Sequence, residues 1–134
     1  NGLNIRDWLF VEDHINALLI MASKGKPGSH YCIGGREEKS NINICKKICK
    51  LLDDLHPQQS SYSSLIEFVD DRPGHDFRYG IDSSLIFKEL GWNPIFKFDQ
   101  AIKETIIWYI RNQDWVNFMK KESGYEGERL GILN

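Results

Sequence analysis

A chain of 134 residues, 41% hydrophobic and 27% charged, has the composition of one folded domain, far from the polar, highly charged corner where chains stay disordered. Its net charge of -2 supplies no basic field for nucleic acid, and no Lys/Arg block is dense enough for a membrane surface, so any anion site must be local. No apolar run approaches the ~20 residues of a membrane span, and "NGLNIRDWLF" lacks the layout of a signal peptide, which makes a cytoplasmic setting the expectation.

Asn4 to Val11 is rich in aromatic and branched residues and predicts a first strand. From Glu12 the period changes: Ile15, Leu18, Leu19 and Ala22 fall on one face of a helix, which "KGKPGS" ends. "HYCIGG" predicts a second strand. A helix follows "REEKSN", with Ser40 or Asn41 as N-cap and Cys45, Ile48, Cys49 and Leu52 on one side. After the polar connection "DDLHPQQSSYSS", Leu65 to Val69 predicts a third strand. Asp82 is placed to cap a short helix through Leu90, with Gly91 left-handed after its last turn. Asp99 then caps the longest helix, carrying Ile102, Ile106, Tyr109 and Ile110 and continuing toward Lys120, before a tail of no clear period. The order defines a mixed α/β chain.

Of the three cysteines, Cys45 and Cys49 share the apolar face predicted for the second helix, where small thiols pack as core; a metal pair would need further ligands at fitting spacing, and none is obvious. Gly34-Gly35 invites a phosphate-loop reading, but neither dinucleotide nor P-loop spacing can be written through it, and a structural turn is favoured. No Tyr is followed four residues later by Lys, and there is no G-x-S-x-G or H-E-x-x-H pattern. His14, His30, His56 and His75 are scattered without ligand spacing.

The turn "DRPGHDFRYGID", Asp71 to Asp82, carries more chemistry. Arg72, beside a Pro-Gly turn, has a planar fork that can grip a phosphate bidentately, and Arg6 on the first strand could supply a second. The alternative is a surface cluster in which Asp71 and Asp76 neutralise Arg72 and Arg78. Local chemistry leaves the two readings balanced.

"RDWLFVEDHINAL", "YCIGG", "REEKSN", "DRPGHDFRYGID", "ELGWNP" and "TIIWYIRNQDWV", in this order, resemble the C-terminal part of the dTDP-glucose 4,6-dehydratases, NAD-dependent members of the extended short-chain dehydrogenase/reductase superfamily, from the first residue to about Trp115. The R-D-W strand and the W-x-P element are shared across the superfamily; the Asp71 to Asp82 turn taken together with "RDWLFVEDH" points to the dehydratases. The resemblance implies that Arg6 and Arg72 reach the diphosphate of a nucleotide sugar, and that Asp71, Pro73, Gly74 and His75 line its site. Cys32 stands where the family has a nucleotide-contacting Asn, and a thiol cannot reproduce the two-way hydrogen bonding of a carboxamide.

The family's glycine-rich loop, its Tyr-x-x-x-Lys pair and its Asp-Glu acid-base pair match nothing in this chain, so no catalytic, cofactor-binding or metal-binding residue is assigned in it. By the same resemblance, the complete enzyme oxidises C4 of the glucose with NAD, eliminates water across C5 and C6, and returns the hydride to C6. The chain is then expected to be an inactive nucleotide-sugar-binding portion whose partners are the substrate, an N-terminal Rossmann domain and, in the full-length enzyme, a second copy in a homodimer. About 12–35 would form edge elements of the Rossmann-type cofactor domain, 36–120 the small mixed α/β substrate domain and 121–134 a tail. Sheet edges and apolar faces would be left without their partners, which predicts a dimer or a partial rearrangement. The alternatives are another nucleotide-sugar dehydratase or a 4-epimerase, and a non-catalytic interaction module.

Overall fold

The computed structural model of the chain describes residues 1–71 and 73–124. Strand β1 (Ile5–Asp7) pairs antiparallel with β2 (Glu38–Ser40), placing Ile5 opposite Ser40, Arg6 opposite Lys39 and Asp7 opposite Glu38. On the other edge of β1 a parallel bridge joins Ile5 to Arg78, with the Ile5 N–H donating to the Phe77 carbonyl at 2.7 Å and the Tyr79 N–H to the Ile5 carbonyl at 3.0 Å. β1 is therefore shorter than the expected Asn4 to Val11: a strand persists only where a neighbour completes its ladder.

Helix α1 (Val11–Lys24) opens with Glu12 and Asp13 in its first turn, where carboxylates oppose the helix dipole. It buries Asp13 and Ala17, while Ile15, Leu18 and Leu19 of the predicted face stay exposed. The predicted face is real as a pattern but points outward in this chain; the core lies on another side of a helix that is apolar on both. Asp13, 1% exposed, accepts the N–H of Ile95 at 2.9 Å and of Phe96 at 3.2 Å, fastening α1 to the loop after Trp92.

The expected strand "HYCIGG" is not formed, because no ladder partner lies beside it among the described residues. Side chains hold it instead. Tyr31 and Ile33 pack against the core of Ala17, Ile86 and Trp92, and the Tyr31 hydroxyl donates to Glu89 at 2.9 Å. Gly35 follows because a Cβ there would collide with the Trp8 carbonyl.

Helix α2 (Asn41–Leu55) starts after Ser40, as expected, but without a side-chain cap. Its first N–H groups are taken by backbone: Asn41 donates to Asn4 at 2.9 Å and Ile42 to Gly2 at 2.8 Å. Its buried residue is Ile44. Cys45, one position or about 100° around, is therefore exposed, and Cys49 is only half-buried, which corrects the core reading of both. Partial burial, with the neighbouring Cys45 and Asp53 adding, raises the Cys49 thiol pKa.

The polar connection contains a short 3-10 turn, Tyr62–Leu65, held by Asp53, whose carboxylate accepts the Tyr62 N–H at 2.8 Å and the Ser61 hydroxyl at 2.7 Å. Leu65 to Val69 forms no strand, and Leu65, Phe68 and Val69 are exposed; an apolar run alone cannot make a strand without a partner.

Helix α3 (Ser84–Leu90) begins where the Asp82 carboxylate accepts the Ser84 N–H at 2.9 Å, the expected cap, and ends at Gly91 with φ 70°. Asp99 is not a cap: helix α4 (Phe98–Arg111) already starts at Phe98, and Asp99 lies in its first turn, paired with Lys47 at 2.9 Å. The expected long helix is two. At Asn112 the backbone leaves helical geometry, its side-chain amide donating to the Trp108 carbonyl at 2.7 Å, and α5 (Gln113–Ser123) begins afresh. The last ten residues of the expected tail lie outside the described residues.

Candidate site on the first strand

Arg6 reaches from β1 across the return of the chain at 75–79. Its Nη1 donates to the Ile5 carbonyl at 2.6 Å and, weakly, to Phe77 at 3.5 Å. Its Nη2 donates to His75 Nε2 at 2.7 Å and to the Asp76 carbonyl at 3.0 Å. The guanidinium lies 4.6 Å from the centre of the Tyr79 ring, a cation-π contact that also keeps water off one face.

Asn4, 8% exposed, completes the frame: its amide donates to the Asp76 carbonyl at 3.3 Å while its own carbonyl starts α2. His75 Nδ1 lies 2.5 Å from the Asp71 carboxylate, and the Tyr79 hydroxyl donates to the Asp76 carboxylate. Gly74 takes φ 69°, the left-handed conformation a Pro-Gly turn requires at its second residue.

Arg6 and Arg78 face different fates. Arg78 meets Glu38 of β2 through two parallel contacts of 2.6 Å, and the hydrogen bond and charge of Glu38 raise its already high pKa. The ion-pair reading is thus right for Arg78, although its partner is Glu38 rather than an aspartate of the turn. Among the described residues no carboxylate pairs with Arg6. Its acceptors are neutral carbonyls and a ring nitrogen, so its positive charge is held in place but left uncompensated.

The predicted site residues divide accordingly. Arg6, Asp71 and His75 come together, with the exposed Pro73 and Gly74 on the same turn. Arg72 lies outside the described residues. Cys32 is exposed on the 30–35 stretch, and no hydrogen bond among the described residues joins it to this cluster. Asn4 and Tyr79 were not among the predicted residues. Their signals are slight: a polar residue just before an apolar strand, and an aromatic one residue beyond the turn's second arginine.

A separate cavity of about 300 Å³ lies among α1, α2 and α4, lined by Trp8, Phe10, Ile44, Ile48, Phe96 and Phe98. Its lining is mainly apolar, and the Asp13 carboxylate within it is already engaged by two backbone donors. The Arg6 cluster is the better anion site.

The folded order, an R-D-W strand bridged to an arginine-bearing Pro-Gly turn and followed by helices, is matched among known proteins. The family model described as GDP-mannose 4,6 dehydratase matches residues 1–105. The chain belongs to that family, and its mixed α/β fold is that of the C-terminal region of extended short-chain dehydrogenase/reductase dehydratases.

Within that class the similarity is to dTDP-glucose 4,6-dehydratases. A probable one from Sinorhizobium fredii is 48% identical over 98% of this chain and 37% of that protein. The enzyme of Salmonella typhimurium is 46% identical over 96% of this chain and 37% of that protein. The crystal structure of dTDP-glucose 4,6-dehydratase from Bacillus anthracis in complex with NAD superposes with a TM-score of 0.74 at 39% identity, over 86% of this chain and 34% of that one. DesIV from Streptomyces venezuelae, a dTDP-glucose 4,6-dehydratase with NAD and TYD bound, gives 0.72 at 35% identity, with the same coverage of 86% and 34%. The chain thus spans a little over a third of the length of the relatives it matches.

Proposed function

We propose that this chain is the nucleotide-sugar-binding portion of an NAD-dependent dTDP-glucose 4,6-dehydratase, the lyase that makes dTDP-4-keto-6-deoxyglucose. The observation that carries the reading is the uncompensated Arg6 guanidinium, framed by the Asp71 to Tyr79 return of the chain. A fixed positive charge beside a tight turn suits a diphosphate, because its anionic oxygens gain a charged donor that no protein carboxylate already occupies. The terminal N–H groups of Arg6 are largely taken by the turn, so its fixed charge is what it offers the ligand, with Arg72 supplying the second fork.

NAD supplies the hydride transfer, and its binding falls to the remainder of the longer enzyme. Among the described residues the first N–H groups of α2 are spent on the Asn4 and Gly2 carbonyls, so that helix start does not offer a dinucleotide cradle. Arg6, Arg72, Asp71, Pro73, Gly74 and His75 hold and orient the nucleotide sugar, Cys32 replaces a carboxamide contact, and the fragment alone turns over nothing.

We place 12–35 at the edge of the cofactor domain and 36–120 in the substrate domain of a cytoplasmic homodimer. The exposed stripe Val11, Ile15, Leu18 and Leu19 on α1 and the stretch at 30–35, which has no ladder partner among the described residues, support the first assignment. A second nucleotide sugar is favoured by the description of the family model itself, which names GDP-mannose.

The test is calorimetric titration of dTDP into the complete native enzyme. Arg6→Gln and Arg72→Ala are each expected to weaken binding by about 1 to 3 kcal/mol, the scale of a lost charge-assisted contact. Unchanged affinity in Arg72→Ala would return Arg72 to the surface-cluster reading, and unchanged affinity in Arg6→Gln would remove Arg6 from the diphosphate site.

A further inference from the structure

The imidazole of His75 stands between a cation and an anion, Arg6 at 2.7 Å from Nε2 and Asp71 at 2.5 Å from Nδ1. Arginine has no acceptor, so Nε2 must present a lone pair to it; a carboxylate has no proton to give, so Nδ1 must carry the hydrogen. One neutral tautomer satisfies both contacts at once. The Asn4 amide, 3.5 Å from Nδ1, is at the limit of hydrogen bonding and has a better acceptor in the Asp76 carbonyl at 3.3 Å.

A carboxylate placed directly against Arg6 would hold the guanidinium firmly and cancel its charge, as Glu38 does to Arg78. An imidazole holds it without cancelling it. The Asp71 carboxylate fixes the ring's tautomer and orientation from one ring's width away from the guanidinium. His75 is on a turn with its side chain 18% exposed, so the ring is itself packed well enough to be a fixed strut.

We propose that His75 is a positioning residue: as the Nδ1–H tautomer set by Asp71, it fixes the Arg6 guanidinium in place while leaving its positive charge available to the diphosphate. This rests on the nucleotide-sugar reading above, and it differs from that reading in assigning His75 no direct contact with the ligand.

The two terminal amides separate these roles. The glutamine carboxamide reaches as far as Nε2 and can accept from Arg6; that of asparagine stops near Nδ1 and cannot. In the complete native enzyme, dTDP titration should find His75→Asn about tenfold weaker than wild type and His75→Gln within about threefold, the scale of one charge-assisted hydrogen bond. In an Arg6→Lys background, where the planar fork is gone, His75→Asn should cause little further loss. Equal loss in the Gln and Asn variants, or the same tenfold loss in the Arg6→Lys background, would overturn the proposal and make His75 a ligand contact or a purely structural residue.

Failure of wild-type enzyme to bind dTDP would strike the nucleotide reading instead. The positioning role has its own readout in that case, the ¹⁵N spectrum of histidine-labelled enzyme without ligand. A His75 ring with Nδ1 protonated and Nε2 bare is the expected signature, and an Nε2–H ring contradicts the proposal.

Discussion

Asp13 and Asp53 use the same device in different surroundings, a carboxylate accepting backbone N–H groups from a neighbouring segment. At Asp13 the acceptor is buried, so Asp13→Ala strips partners from the Ile95 and Phe96 N–H groups and should destabilise the protein by about 1 to 3 kcal/mol, read from the urea midpoint. A loss within about 0.5 kcal/mol, the range of ordinary surface changes, would mean that water replaces the carboxylate. At Asp53 the residue is only half-buried, and the Ser61 hydroxyl and then the Tyr62 N–H hold its pKa below the usual aspartate range. A depressed folded-state pKa means that this contribution is present above the unfolded value near about 3.9 and lost as pH falls through the folded one. The protection of the Tyr62 amide relative to its unstructured exchange rate should therefore hold at neutral pH and fall only under strongly acidic conditions, whereas a loss of protection already near pH 5 would contradict the assignment. Neither role was legible in the sequence, since each depends on a segment brought close only by folding. The resemblance singled out Arg6 and His75, yet the contact between them was not legible, because nothing local to either one encodes the return of the chain at 75–79.

Helices were easier to read than strands for a physical reason. A helix closes its hydrogen bonds within one segment, so a periodic run with fitting ends suffices, and α1, α2, α3 and α4 all lie close to where the pattern puts them. A strand needs a neighbour, and "HYCIGG" and Leu65 to Val69 carry the composition of strands without one among the described residues. The face of a helix was less legible than its existence: on α2 the buried line runs through Ile44 rather than Cys45, and on α1 the apolar stripe that was read is the exposed one. End signals did hold at α3, where Gly91 has φ 70° and a Cβ would meet nothing within 4 Å. Gly91→Ala should thus cost only the left-handed conformation, about 1 kcal/mol, seen as a lower urea midpoint, with Gly91→Asn closer to wild type. An alanine variant as stable as wild type would show that the α3 end relaxes to another geometry.

At the scale of the molecule, the chain has a small core about Ala17, Ile86 and Trp92, an apolar stripe on α1, and further exposed aromatics, Trp108, Tyr109, Trp115 and Phe118, on α4 and α5. So much uncovered apolar surface is uncommon on a self-sufficient domain and fits a chain spanning a little over a third of its relatives' length. The proposed chemistry follows the same division: on that reading Arg6 and the turn beside it hold the anion, and the transfer of hydride and protons falls to the remainder of the longer enzyme. The most direct test of this account is turnover of dTDP-glucose by the complete native protein with NAD, followed by mass spectrometry of the sugar nucleotide. The predicted result is loss of one water from dTDP-glucose to give dTDP-4-keto-6-deoxyglucose, with GDP-mannose left unchanged. Conversion of GDP-mannose with dTDP-glucose untouched, or no conversion of either, would contradict it.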